Sequence, residues 1–218
     1  MAVIHHTTLK PTKLELLTGW LPTRPWYRGT AEAPALTKSG GFRLEDPAGE
    51  VGIEFMVATD TSAPEPTAYL TPLTYRGAPL DDTGHALVGT MEHGVLGKRW
   101  VYDGCHDPVL VTGLLMLIEG RAQAHAQSID GALDPEVVRS YTGAPLTLDG
   151  LTPEPADDQA GTRVRAPHGT VLHVHRVLTP ASENPPLCPE GSIGHVARAW
   201  QDPRGAGLTA VFATLRTA

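Results

Sequence analysis

Cysteine is scarce in this sequence, with Cys105 and Cys188 the only two in 218 residues. Two cysteines far apart do not make a disulfide framework, so the chain must fold on packing, and a reducing cytoplasm is the expected compartment. Long apolar runs are also missing. The most apolar stretch, residues 109–118, is too short to cross a bilayer. The first residues, Met1-Ala2-Val3-Ile4-His5-His6, lack the basic and apolar regions of a signal peptide. There is no basic cluster, and the formal net charge is -7, which argues against nucleic acid and anionic membranes as partners. Internal repeats are absent. What is present is 41% hydrophobic residues against 19% charged, enough for a core, with 23 glycines and 20 prolines that call for many turns and few long helices.

The expected elements follow from local chemistry. Residues 2–9 read as a short strand. Thr12 and Glu15 fit a capping box, and the helix it opens carries Leu14, Leu17 and Leu21 on one face until Pro22 ends it. Residues 25–29 form an aromatic turn, and residues 30–39 a helical turn or loop. Val51, Ile53, Phe55 and Val57 alternate with Gly52, Glu54, Met56 and Ala58, the pattern of a strand with one buried face. Strands are expected at 67–76, 85–91 and 95–102, and the four in sequence suit an antiparallel meander. Asp107-Pro108 starts a second helix, running to about residue 123, and Asp134-Pro135 a third, ending near Gly143. An acidic, proline-rich loop over 149–161 precedes strands at 162–166, 170–178, 192–200 and 207–216.

Trp20-Leu21-Pro22 with Arg24-Pro25-Trp26-Tyr27 is similar to the signature that opens maltokinases, sugar kinases related to aminoglycoside phosphotransferases, and further segments resemble the N-terminal half of that family. The segment 68–76, with its Pro72-Leu73 pair, resembles a family strand. Tyr102-Asp103 and Asp107-Pro108 resemble its strand-to-helix junction. Val171 to Arg176, then Asn184-Pro185, resembles the strand that carries a nucleotide-contacting lysine. The resemblance implies an α+β fold: a cystatin-like cap, helix on curved antiparallel sheet, over residues 1–105, then an intermediate-like β-rich subdomain with one or two helices over 106–218. The pattern resembles that of small stand-alone actinobacterial proteins with such a cap-like domain.

The same resemblance sets the expectation for activity. The family's catalytic lobe needs an Asp base in a His-Gly-Asp context and a metal-binding Asp in an Asp-Phe-Glu-like context, and neither occurs in these 218 residues. His173 stands at the lysine position, where a neutral imidazole cannot supply a fixed positive charge to phosphates. No Walker-type glycine run exists. No catalytic residue, cofactor or metal is therefore assigned, and a kinase is not expected.

Other groups have both a chemical and a plain reading. His173 and His175, two apart on a strand, share a face and could take a metal with His5, His6 or His195, or be a simple cross-strand pair. Cys105-His106-Asp107 has the residue types of a nucleophilic triad, but neighbours on a turn seldom converge, and Asp107 serves as helix cap. Trp20, Trp26, Tyr27 and Trp100 would make a sugar-stacking platform or protein interface if exposed, and a packing corner if not. Glu50, Glu54 and Glu92 lie on or beside strands; a glycosidase needs two facing carboxylates, whereas alternation sends Glu54 away from the apolar face toward solvent. The resulting expectation is a non-catalytic accessory or regulatory protein linked to sugar or storage-glucan metabolism, with a protein partner or self-association. The alternatives are a sugar- or nucleotide-binding module, or an enzyme of another class using histidine or carboxylate groups.

Overall fold

The computed structural model describes residues 9–29, 33–127, 132–182 and 188–217. The proposed strand over residues 2–9, His5, His6 and Asn184-Pro185 thus fall wholly or almost wholly outside the described residues.

Thr12 caps the first helix, α1 (Lys13–Trp20), as the sequence predicts. Its hydroxyl accepts the Glu15 amide at 3.2 Å and Glu15 accepts the Thr12 amide at 2.7 Å. A short 3-10 turn, Leu21–Thr23, carries Pro22 and ends the helix. The chain then builds two antiparallel sheets. The first has the order β1 (Leu9–Lys10), β5 (Leu87–His93), β6 (Gly97–Asp103), β4 (Thr67–Arg76), β3 (Gly52–Asp60), β2 (Leu36–Leu44), β7 (His125–Ala126). The second has the order β8 (Val138–Tyr141), β12 (Ser192–Gln201), β13 (Gly207–Thr217), β11 (Thr170–Val174), β10 (Gly161–Ala166), β9 (Pro155–Asp158). The described protein is mostly β, with two short helices.

Several expectations need correction. The meander is broken, because β6 rather than β5 pairs with β4. Residues 77–86 carry the chain past the end of β6, and the Tyr102 hydroxyl accepts the Leu80 amide on the way. The expected third helix is one turn followed by β8. Asp134 caps that turn, but Val137, Val138 and Tyr141 are better placed on a pleat, and residues 138–141 add to the edge of β12. The expected turn or loop over 30–39 gives way to β2 from Leu36, and the acidic loop contains β9. Finally, β3 has two buried faces. Ile53, Phe55 and Val57 enter one core while Met56 and Ala58 enter another.

Those two cores explain the layering. On one side of the first sheet Leu17, Trp20 and Leu21 of the α1 region pack with Trp26, Met56, Tyr69, Leu73, Met91 and Val101. On the other, α2 (Pro108–Glu119) fills the space between the sheets, and Phe42 stacks on Phe55 and Phe212 with centroids 4.6 and 6.1 Å apart. Asp107 caps α2 through the Val109 amide, as expected, and Arg76 grips both Asp107 oxygens at 2.7 Å. The helix stops at Glu119, short of the expected 123, because Gly120 adopts the left-handed conformation (φ 87°) that ends a helix, and a Cβ there would strike the Arg139 guanidinium.

The two sheets are stitched by the segment after β11. Leu70 donates to the Arg176 carbonyl and Leu178 to that of Ala68, each at 2.9 Å, while Ala181 donates to Thr209. The outer edge of β4 thus changes partner along its length: residues 176–178 beside 68–70, then β6 beside 73–76. Pro72, which has no N–H to offer, sits at that change-over. At the junction Arg176 is fully buried. Its Nη2 donates to both Asp103 oxygens at 2.7 Å, its Nε to the Thr162 hydroxyl at 2.6 Å, and its guanidinium lies 5.1 Å from the Trp26 ring.

Asp103→Asn should lower unfolding free energy by about 3–5 kcal/mol, because it leaves a buried guanidinium without its counter-charge. Urea denaturation would check this, with Arg165→Met, from an exposed ion pair, expected to shift stability by less than about 0.5 kcal/mol. Equal midpoints for Asp103→Asn and wild type would contradict the role given to the pair.

Candidate functional site

On the α1 side of the first sheet, beyond the end of the helix that covers it, lies a cleft of about 430 Å³. Its walls come from β1, the start of α1, β2, the β2–β3 turn, β3, β4, β5, β6 and the residue after β7. Leu9, Met91 and Leu96 supply apolar surface, and Lys13, Lys38, Arg43, Glu54, Tyr75, Arg99 and Gln127 supply polar groups. The turn that forms one rim is held by Asp46, whose carboxylate accepts the amides of Ala48, Glu50 and Val51.

Glu54 is the centre of this cleft, and it overturns the expectation of a solvated carboxylate: only 2% of the residue is exposed. Glu54 does lie opposite the face of Ile53, Phe55 and Val57, but α1 and the loops cover that second face of β3 as well. One oxygen, Oε2, takes the Lys13 ammonium and the Tyr75 hydroxyl, the latter at 2.6 Å. The other, Oε1, takes the Gln127 amide at 3.0 Å and faces the Lys38 ammonium at 3.7 Å. Burial alone would push the carboxyl up, but Lys13 and Lys38 with the Lys13 and Tyr75 hydrogen bonds outweigh it and hold it down at about 2. Burial, and then the Glu54 charge, push the Tyr75 hydroxyl well up. Burial pulls the Lys38 ammonium down, against the pull of Glu54.

A second, more open hollow of about 460 Å³ adjoins the first and shares Lys38 and Gln127 with it. There Arg198 is already paired with Asp134 at 2.8 Å and faces Glu136 at 3.3 Å.

The groups singled out in the sequence lie elsewhere. Trp20 and Trp26 are core residues in edge contact at 5.7 Å, Tyr27 packs on Tyr69 at 5.5 Å with its hydroxyl on Asp60, and Trp100 sits half-buried on β6 with the Lys98 ammonium over its ring. The first three therefore form a packing corner beneath the start of β2. His173 and His175 do meet, with centroids 4.4 Å apart. Burial lowers both, His175 to about 4. His195 lies on the same row but two strands away across Thr214, roughly 9–10 Å at ordinary strand spacing, so it cannot share an ion with that pair. No three His, Cys, Asp or Glu side chains are grouped to hold a metal among the described residues.

Cys105 is buried, and burial pushes its thiol far up, so it stays protonated. His106 turns instead to His85, with their rings 4.9 Å apart. The three neighbours Cys105, His106 and Asp107 thus point to three different tasks. Glu50 is exposed at the rim of the cleft, and Glu92 is exposed on β5, outside its lining. Sequence reasoning missed Lys13, Lys38, Arg43 and Gln127 altogether. The one signal for them was the register that sets Arg43 opposite Glu54.

The described residues form a β-rich unit with one helix across one face of a curled sheet, joined to a second antiparallel sheet. Residues 20–107, from the end of α1 to the cap of α2, match the family of the maltokinase N-terminal cap domain, and the chain carries a maltokinase N-terminal cap-like domain. No curated protein matches the chain. Lys38, Arg43, Glu54, Tyr75 and Arg99 of the cleft lie inside the matched segment, and Lys13 and Gln127 outside it. No described helix is long and apolar enough to cross a membrane.

The folded-state pKa of Glu54 lies below its ordinary value of 4.5, so the group adds stability above that value and loses it as pH falls toward about 2. Glu54→Gln should be less stable than wild type by on the order of 2–3 kcal/mol at pH 7. The gap should narrow as the pH falls through that window. Denaturant melts of both proteins across this range test it, and a gap independent of pH would mean that Glu54 is not held ionised.

Proposed function

We propose that this chain is a non-catalytic accessory or regulatory protein, related to maltokinase through its cap-like domain and serving sugar or storage-glucan metabolism in the cytoplasm. In this reading residues 1–105 form a cap of cystatin-like layout, with α1 laid across the curled sheet, and residues 106–218 a β-rich supporting subdomain. The observation that carries it is the state of Glu54. The carboxylate best placed for acid–base chemistry in the cleft is saturated by Lys13, Tyr75, Gln127 and Lys38 and sits at about 2, far from the neutral range in which a general base exchanges protons. The protonated Cys105 and the separately engaged His106 and Asp107 support the same reading.

A second reading, a small-molecule binding module, is favoured by the cleft itself, whose volume falls within the range of ordinary ligand pockets.

A thermal-melt screen with magnesium-ATP, maltose, glucosamine and short glucans, run beside an assay for ATP consumption, separates the two. A ligand at about 100 times its dissociation constant adds about 2.7 kcal/mol to the native state, a readable rise in Tm. Stabilisation by a sugar or nucleotide without turnover would favour the binding module. The accessory-protein reading expects neither stabilisation nor turnover, and steady consumption of ATP in the presence of a sugar would overturn both.

A further inference from the structure

The cleft is lined by four cations, Lys13, Lys38, Arg43 and Arg99, and by four carboxylates, of which Glu54 lies at the centre and Glu45, Asp46 and Glu50 at the rim. Lys13 is engaged by Glu54, but Lys38 only approaches it, at 3.7 Å. Arg43, one strand over on the same face, has no carboxylate, carbonyl or hydroxyl partner among the described residues, and its Nε is sealed from water. On the far side, Arg99 gives one nitrogen to the Leu96 carbonyl and leaves a buried Nε equally unmet. An Nε of this kind is shut off from a ligand as from water, but the terminal nitrogens of Arg43, which no described acceptor takes, are not buried and can meet an anion. The acids at the rim do not fill that place. Asp46 is spent on three backbone amides, and Glu45 approaches His125.

Between these cations the walls are apolar. Leu9, Met91 and Leu96 face the cavity, with the Tyr75 ring beneath the Lys13 ammonium at 5.0 Å. We propose that this cleft binds a small organic anion, with a carboxylate or phosphate head held by Arg43 and Lys38 and an apolar or planar body laid along Leu9, Met91 and Leu96. Arg43 supplies a planar fork suited to either head group, and Lys38, at the mouth, supplies a mobile point charge. Glu54 keeps Lys13 and Tyr75 in place and gives the site a floor that a second carboxylate would avoid, so the head must sit on the Arg43 side. The inference rests on the binding-module reading for its setting, but its test does not depend on the absence of turnover.

The test uses the whole chain, titrated calorimetrically with phenyl phosphate, phenylacetate, inorganic phosphate and the neutral benzyl alcohol. Phenyl phosphate or phenylacetate should bind, weakening as salt is raised, and benzyl alcohol should not. Inorganic phosphate should bind less tightly than phenyl phosphate, because it leaves the apolar wall uncovered. Arg43→Met should weaken the bound probe by about tenfold or more, the loss of one charge-assisted contact. Lys38→Met, at a partly exposed side chain 3.7 Å from Glu54, should weaken it several-fold and keeps the test open if the first variant misfolds. Glu50→Gln, at the exposed rim, should change little. Equal affinity for the anions and benzyl alcohol, or unchanged binding in Lys38→Met and a folded Arg43→Met, overturns the proposal. Anion binding that depends on Arg43 but is accompanied by chemical conversion of the probe would uphold this site and sink the non-catalytic reading.

Discussion

The contact on which the rest of the structure depends is the pairing of Arg176 with Asp103. A guanidinium at 0% exposure has no water to fall back on, so its position is dictated by its acceptors: two oxygens of Asp103, the hydroxyl of Thr162 and the face of Trp26. Each comes from a different part of the chain. Asp103 closes β6, Thr162 lies in β10 of the other sheet, and Trp26 follows α1. Meeting all three at once fixes the angle at which the sheets face one another. That angle leaves room for α2 between them, and α2 in turn is anchored by the Arg76–Asp107 pair at its start and the left-handed Gly120 at its end.

The cleft is a by-product of the same arrangement on the opposite face. Helix α1 covers only part of the curled sheet, and near its N-terminal end Lys13, Tyr75 and Gln127 satisfy the buried Glu54, while Lys38 approaches it from the open side. A carboxylate buried in this way is less screened than one on the surface. Against that burial, the two lysines and the hydrogen bonds from Lys13 and Tyr75 hold Glu54 ionised. A carboxylate that structure needs in its charged form is poorly suited to alternate between two forms.

Much of the fold was legible because it is written locally. The Thr12–Glu15 box, the Asp107-Pro108 start, and strands such as 67–76 and 207–216 are marked by turn residues and period, which need no knowledge of the rest of the chain. Asp134-Pro135 shows where this stops. It has the same opening as Asp107-Pro108, but the first leads into an apolar run and the second into Val137, Val138 and Tyr141, which a neighbouring strand edge claims. The site was less legible still. Alternation gave the correct face for Glu54, but its burial depends on partners at 13, 38, 75 and 127, and nothing near residue 54 announces them. Arg176 was read only as the end of a histidine-bearing strand, because its partner lies 73 positions away. Trp20 and Trp26 drew attention as chemistry and lie in the core.

The change of partner along β4 has a consequence for how the molecule is made. Residues 68–70 find their outer neighbour only in residues 176–178, more than a hundred positions later. During synthesis that stretch of β4 stands as an open edge, and Asp103 as a charge without a mate, until the chain beyond β11 has emerged and folded back. Open edges invite pairing with other chains, and distant pairings form slowly. Pro72, with no N–H to donate, interrupts the exposed edge at its inner limit and shortens the surface on which a stranger could add. The residue that marks the change-over in the finished protein would thus guard the unfinished one.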